Sequence, residues 1–209
     1  MNRELLYRIA FASVIMAYST IRIPYQLKSQ KIKKSEGYRL PMSSSIKAGL
    51  MATSILFLII VYVFHPETIG FFQLEIADHI RVMGFVASMA GILALFAIHR
   101  HLGRNFSPTL YLHQKHDLVT TGPYRFIRHP MYTAMLMIVS GLFLLSANTI
   151  IGLFGIGTIS LIILVRTPQE ERQLEELFGE KYLSYKKGTG YLLPPLSIFR
   201  FGKYLIPKK

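Results

Sequence analysis

Two stretches of this 209-residue chain hold side chains able to do chemistry. The first reads His113-Gln-Lys-His-Asp-Leu-Val-Thr-Thr-Gly-Pro-Tyr-Arg-Phe-Ile-Arg-His-Pro-Met-Tyr132, and the second opens Arg166-Thr-Pro-Gln-Glu-Glu171. Gly122-Pro123 marks a turn, and Pro130 suits the first turn of a helix, where proline forfeits no needed donor. His129 then stands at a helix N-terminus, able to accept or donate a hydrogen bond. It could equally cap that helix, with Tyr124 and Tyr132 as anchors at headgroup level. Arg166 and Glu170 are four apart, so on a continuous helix they share a face and can pair. Alternatively Thr167 caps a fresh helix, with Pro168 first and Glu170 completing a capping box. A carboxylate and a guanidinium at the end of an apolar helix are costly unless paired or functional.

Composition narrows the chemistry. There is no cysteine, which excludes disulfides, thiolate nucleophiles and cysteine-ligated metals. The net charge of +13 accompanies a mean hydropathy of +0.36 and only 17% charged residues, a balance foreign to nucleic-acid binders, so no nucleic-acid partner is expected. His99-x-His101 and His113-x-x-His116 invite a metal reading. No His-x-x-His-His block accompanies them, Asp117 is the one acid nearby, and the spacings do not repeat, so no metal is expected.

The elements that must position these residues are membrane helices. Ala48 to Phe64 and Ile80 to Ile98 are apolar runs, the second broken by Arg81 alone, each about long enough for a span of roughly 20 residues. Ile9 to Ile23 is a weaker span with Arg8 and Arg22 near its ends, where basic side chains snorkel. Met131 to Ala147 and Ile150 to Val165 form a helical hairpin joined at Asn148 and Thr149, with Gly141, Gly152, Gly155 and Gly157 allowing close approach. The reading is an all-α integral membrane protein of about five transmembrane helices. Pro24, Pro41, Pro66 and Pro108 fall in connections, and the N-terminus is read as a retained anchor.

Five alternating spans put three basic segments on one side. Lys28 to Lys47 holds six Lys or Arg, His99 to Pro130 five and Arg166 to Lys209 nine, 20 of the 24 in the chain. The opposite face carries Glu67, Glu75 and Asp78. By the positive-inside rule the basic face is cytoplasmic, and anionic lipid balances its charge. Arg166 to Lys187 reads as an amphipathic surface helix, with Leu174, Leu177, Phe178, Tyr182 and Tyr185 at helical spacing. Three regions follow: residues 1–98 as a three-helix membrane region, 99–195 as the chemical core, and 196–209 as a basic tail.

Taken in order, Leu118-Val-Thr-Thr-Gly-Pro-Tyr-Arg-Phe-Ile-Arg-His-Pro-Met-Tyr132, the hairpin, Arg166-Thr-x-x-Glu-Glu171 and Phe178-Gly-Glu-Lys-Tyr-x-x-Tyr185 resemble the isoprenylcysteine carboxyl methyltransferase family. The likeness covers about 99 to 195 and extends to His101-Leu-Gly-Arg-Asn-Phe-Ser107. It implies an ordered cytoplasmic segment binding S-adenosylmethionine, with His116, Asp117, Leu118 and Val119 along the cofactor. Tyr124, the run His129, Pro130, Met131 and Tyr132, and Glu170 are implied to contact it, and Arg166 to hold the substrate. Pro168 and Gln169 stand where some members carry acidic residues, which raises a kink there.

Residue chemistry agrees with that implication. A sulfonium, an ammonium and an adenine call for a carboxylate, aromatic faces and backbone polar groups, which Glu170, Tyr124, Tyr132 and the Asp117–Thr121 backbone supply. Arg166 can grip a carboxylate acceptor through two hydrogen bonds, and an amine acceptor would make His129 the best candidate base. A lipophilic acceptor would come sideways from the bilayer, with the active site facing the cytoplasm. Phospholipid amines or small thiols are alternative acceptors; a sterol-type membrane reductase and a non-enzymatic scaffold are readings of other classes.

Overall fold

The computed structural model describes residues 2–35, 42–102 and 118–195, and every regular element among them is a helix. These are α1 (Arg3–Ser35), α2 (Met42–Phe64), α3 (Asp78–Leu102), α4 (Pro130–Ser146), α5 (Thr149–Phe178) and α6 (Glu180–Gly188). Single 3₁₀ helices occupy Pro66–Phe72 and Gly122–Arg125. Side chains such as Phe57, Val86, Leu93, Leu161 and Leu164 are exposed, as lipid-facing residues would be. The helices are those of an integral, multi-pass membrane protein.

Span number is the first refinement. Over the described residues α1, α3 and α5 are long and apolar enough to cross a bilayer, and Thr53–Phe64 with Pro66–Phe72 makes a fourth span only if a 100° bend is allowed. α4 has 17 residues, a rise of about 25 Å against a hydrocarbon core of about 30 Å. Five apolar runs therefore yield three or four spans of full length plus a short helix.

Close packing of α3 on α4 centres the bundle. A Cβ added to Gly84 would lie 2.6 Å from the carbonyl oxygen of Gly141, so the two backbones touch where both glycines stand. Gly141 thus serves the α3–α4 contact and not the hairpin. Gly152, against the Phe143 ring, and Gly155, beside Val139, do face across the hairpin, while Gly157 meets nothing within 4 Å.

The end of the bundle that carries the α4–α5 turn is tied by polar groups. Arg81, the lone charge in its apolar run, keeps a side chain only 5% exposed. It forms a bidentate pair with Glu4, donates from Nε to the carbonyl of Leu145, and lies 3.7 Å from the centre of the Tyr7 ring. Arg3 and Tyr7 both bond Asp78. Across the hairpin, Ala147 takes a left-handed conformation at φ +50° and Asn148 caps α5, its oxygen accepting from the Ile150 and Ile151 amides. The Asn148 amide group donates to Ile69, and Gln73 to Ser146, so the 3₁₀ segment closes over the turn.

Two prolines expected in connections or at breaks lie inside helices. Pro24 is within α1, and Pro168 is within α5, which continues to Phe178. At 30 residues α5 rises about 45 Å, about 15 Å more than a hydrocarbon core of about 30 Å. The expected surface helix is therefore two pieces, the end of α5 and α6, divided at Gly179, whose φ of +51° favours glycine. Thr167 is no cap: its hydroxyl donates to the Ile163 carbonyl one turn back. Leu177 is exposed while Glu171 and Tyr182 are buried, so polar contacts set this segment's inner face.

Beyond α6 the chain doubles back. Gly190 accepts from the Arg128 amide and donates to Phe126, Tyr191 accepts from the His129 amide, and Leu192 accepts from the Thr133 hydroxyl. Residues 189–192 thus strap across 126–129. Pro41, Pro108, His113, His116, Asp117 and the tail 196–209 lie outside the described residues.

Candidate active site

An apolar cavity of about 630 Å³ lies among α1, α2, α4 and α5. Tyr18 and Ser19 line it from α1, Ile59 from α2, Met135 from α4, and Thr158 and Ile162 from α5. Residues one helical turn apart stand above one another on a helix face. Tyr132 is therefore one turn beyond Met135, and Arg166 one turn beyond Ile162, both on the side away from the α4–α5 turn.

Glu170 joins them. The Tyr132 hydroxyl donates to its Oε1 at 2.7 Å and Arg166 Nη2 reaches the same oxygen at 3.4 Å, while its Oε2 lies 3.8 Å from His129 Nδ1. The Arg166–Glu170 pairing anticipated as a purely local contact is present, and it is one arm of a larger cluster. Glu170 and Arg166 stay partly exposed, with side chains 24% and 28% accessible, which leaves both able to meet a ligand. Tyr124, in the 3₁₀ turn, is drawn into the cluster: burial first, and then the nearby Tyr185, Glu170 and Tyr132, hold its phenol well above the usual tyrosine range. Its hydroxyl stays protonated and can donate.

His129 and Pro130 occupy the positions foreseen, N-cap and first residue of α4, but the His129 side chain caps nothing. Its ring is 6% exposed and sits between two carboxylates, with Nε2 3.1 Å from Glu171 Oε1. Tyr132 is buried, which removes the reading of it as a headgroup anchor. Leu118 and Val119 run half-buried toward the turn. Met131 accepts a contact from Arg22 at its sulfur, 3.3 Å away.

Beside this cluster lies a second one that residue spacing does not reveal. Glu171, its side chain 12% exposed, binds Arg128 Nε at 2.9 Å, His129 at 3.1 Å and Lys186 Nζ at 2.8 Å. Lys186 also pairs with Glu175, and these carboxylates lift its ammonium above the usual lysine range. Arg128 continues to the carbonyls of Lys186 and Thr189, and its guanidinium lies over the Tyr191 ring. Tyr185, its hydroxyl pushed up to about 12 chiefly by burial, donates to the carbonyl of Tyr124. The network fixes His129 and Tyr124 from behind. The tandem Glu170-Glu171 was its signal in the sequence, one acid meeting Tyr132 and Arg166 and the next Arg128 and Lys186.

Among the described residues no group of three His, Cys, Asp or Glu could hold a metal ion. The arrangement can hold a cationic ligand at Glu170, present guanidinium to an anion, and admit an apolar chain between the helices.

Comparison with known proteins gives a consistent set of likenesses. Residues 80–176 match the model of the isoprenylcysteine carboxyl methyltransferase family. The chain is 41% identical over 75 residues to methanethiol S-methyltransferase of Pseudomonas deceptionensis, covering 35% of this chain and 27% of that one. It is 31% identical over 133 residues to protein-S-isoprenylcysteine O-methyltransferase of Homo sapiens, covering 63% and 47%. The chain thus spans less than half the length of these relatives. In fold it matches a solved structure of the eukaryotic intramembrane Ras methyltransferase, with a TM-score of 0.67 at 19% identity over 93% of this chain and 68% of the other.

Proposed function

We propose, from the premise that this chain belongs through residues 80–176 to the isoprenylcysteine carboxyl methyltransferase family, that it is an integral membrane methyltransferase. Its methyl donor is S-adenosylmethionine, and its acceptor is a carboxylate on a lipophilic, prenylcysteine-type molecule. The observation that carries this reading is the joining of Tyr132 and Arg166 at Glu170, one helical turn beyond the Met135 and Ile162 walls of an apolar cavity.

The residues suit the donor. An ammonium and a sulfonium call for a carboxylate and aromatic neighbours, and Glu170 stands partly exposed beside Tyr132 and Tyr124. Backbone from Leu118 to Thr121 leads into the same turn and would serve a purine edge; His116 and Asp117, implied for the donor by the family resemblance, lie outside the described residues. Met131 and Pro130 would form the floor beneath that edge. S-adenosylmethionine, when bound, supplies an electrophilic methyl group. Glu170 holds the positive end of that donor, and Tyr132 fixes the carboxylate. Arg166 grips the acceptor carboxylate and holds one oxygen forward in line, the kind of orientation worth effective molarities up to roughly 10⁵ to 10⁸ M in model systems. A carboxylate needs no proton removed; were the acceptor an amine, His129 would take that proton. The apolar cavity receives the tail from the bilayer, and the basic segments set the donor site on the cytoplasmic side.

The 41% identity to a methanethiol methyltransferase favours a second reading, a small thiol as acceptor. A cavity of about 630 Å³ walled by apolar side chains is far larger than that task requires and argues for a lipophilic one.

The test is radiolabelled methyl transfer by the purified chain in lipid nanodiscs, offered a farnesylcysteine carboxylate, phosphatidylethanolamine and methanethiol. Base-labile methyl ester on the prenyl acceptor is expected. Label only on the amine or the thiol would replace the acceptor, and no S-adenosylmethionine-dependent label on any of them would end the reading.

A further inference from the structure

Arg22 lies in α1, outside the family match, and is 8% exposed. Tyr18 and Ser19 line the cavity four and three residues before it, so Arg22 stands one turn inward of the wall they form. Its Nη1 is 3.1 Å from His99 Nε2 and 3.3 Å from the sulfur of Met131, the neighbour of Tyr132. His99 is fully buried, and its Nδ1 donates to the Leu95 carbonyl at 2.8 Å. That bond leaves Nε2 as the acceptor facing Arg22. A neutral ring therefore aims the guanidinium. Arg166 and Tyr132 lie near enough to act on Arg22 electrostatically. Arg22 thus stands one turn beyond the α1 wall of the apolar cavity and Arg166, paired with Glu170, one turn beyond its α5 wall at Ile162.

We propose that Arg22 is a specificity-determining residue which, opposite Arg166, selects acceptors with a carboxylate head over acceptors with an uncharged or cationic head on the same tail. The proposal rests on the reading of the cavity as the acceptor site. A carboxylate between two guanidiniums gains charge-assisted hydrogen bonds from both sides, whereas an ammonium in the same place meets like charge.

The experiment is equilibrium binding, without methyl donor, to the full chain in phosphatidylcholine nanodiscs. The probes are a farnesylthio carboxylic acid and its methyl ester. The wild type should bind the acid about tenfold more tightly than the ester, and Arg22→Gln should lose about that factor for the acid while keeping the ester within about twofold. Arg22→Lys should retain most of the preference. Ser19→Glu, which sets a competing carboxylate one turn from Arg22, should also erase the preference while Ser19→Gln keeps it. An unchanged preference in Arg22→Gln or Ser19→Glu, or equal loss for acid and ester, overturns the proposal. Absence of methyl transfer in the wild type would instead sink the methyltransferase reading and leave the binding preference standing.

Discussion

The hydroxyl of Tyr132 donates to Oε1 of Glu170 at 2.7 Å, bridging α4 and α5 across 38 residues of sequence. Arg166 reaches the same oxygen. A hydrogen bond to a charged group contributes about 1.5–3 kcal/mol, so Tyr132→Phe should weaken S-adenosylmethionine affinity about tenfold through loss of carboxylate positioning. Glu170→Gln should weaken it further. Arg166→Ala should leave donor affinity nearly intact and lower turnover on the carboxylate acceptor. Calorimetry with detergent-purified protein reads the first two and initial rates the third. Full donor affinity in both Tyr132→Phe and Glu170→Gln would place the donor elsewhere.

Glu171, one residue on, should behave differently. It joins Arg128, His129 and Lys186, so Glu171→Gln strips charge from a nearly buried network and should destabilise α6 and the 189–192 strap by about 2 kcal/mol. Hydrogen exchange at the Gly190, Arg128 and His129 amides, which bond across the strap, would accelerate accordingly, with the membrane helices unchanged. The sign of the pH effect follows from Lys186, whose value is raised in the folded chain. Its contribution is complete below the ordinary lysine range and is lost only as pH rises through the raised value. Strap protection, corrected for intrinsic exchange, should therefore be flat from about pH 7 to 9. A fall within that window would contradict the pairing.

Helix existence was legible because lipid-length hydropathy is a local property, and α2 to α5 all coincide with apolar runs. Helix ends were not. Pro24 and Pro168 read as breaks, yet a proline removes one backbone bond and the rods continue through both. Tyr124, His129, Tyr132, Arg166 and Glu170 stand in short sequence blocks whose residue types and spacing marked them as candidates, while the roles expected of them came from the family resemblance; the structure brings His129, Tyr132 and Arg166 around Glu170. Arg22 was read as a snorkelling side chain at a span end, because nothing near it in sequence reveals that His99, 77 residues away, turns it inward. The partners of Glu171 were hidden for a similar reason: they depend on the break at Gly179, which decides whether α6 turns back toward Arg128.

The α3–α4 contact offers a stability test free of the site. A Cβ on Gly84 would meet the Gly141 oxygen at 2.6 Å and the Leu145 nitrogen at 2.7 Å, both backbone atoms that cannot swing aside. Gly84→Ala should therefore cost about 1–3 kcal/mol by overpacking. Gly157→Ala, with nothing within 4 Å, should be neutral or slightly stabilising in its helix. Thermal unfolding in one detergent compares them, and equal melting temperatures would mean that α3 and α4 do not touch here.

Filling the cavity separates the role of its volume from that of the charged mouth. Thr158 lines the wall from α5 two turns before Arg166, while Tyr132, Glu170 and the 189–192 strap are not among the residues lining the cavity. Thr158→Trp puts an indole where a lipophilic tail would run and leaves every donor-side group in place. If the cavity receives the tail, KM for a farnesylated carboxylate should rise about tenfold or more, while donor affinity and turnover on a short-tailed carboxylate stay within about twofold. A graded series, with Thr158→Val nearly silent and Thr158→Phe intermediate, would show that the loss follows occupied volume. Equal loss on long and short acceptors would show instead that the indole had disturbed the α4–α5 packing which holds Tyr132 against Glu170, and the tail would then have to lie elsewhere.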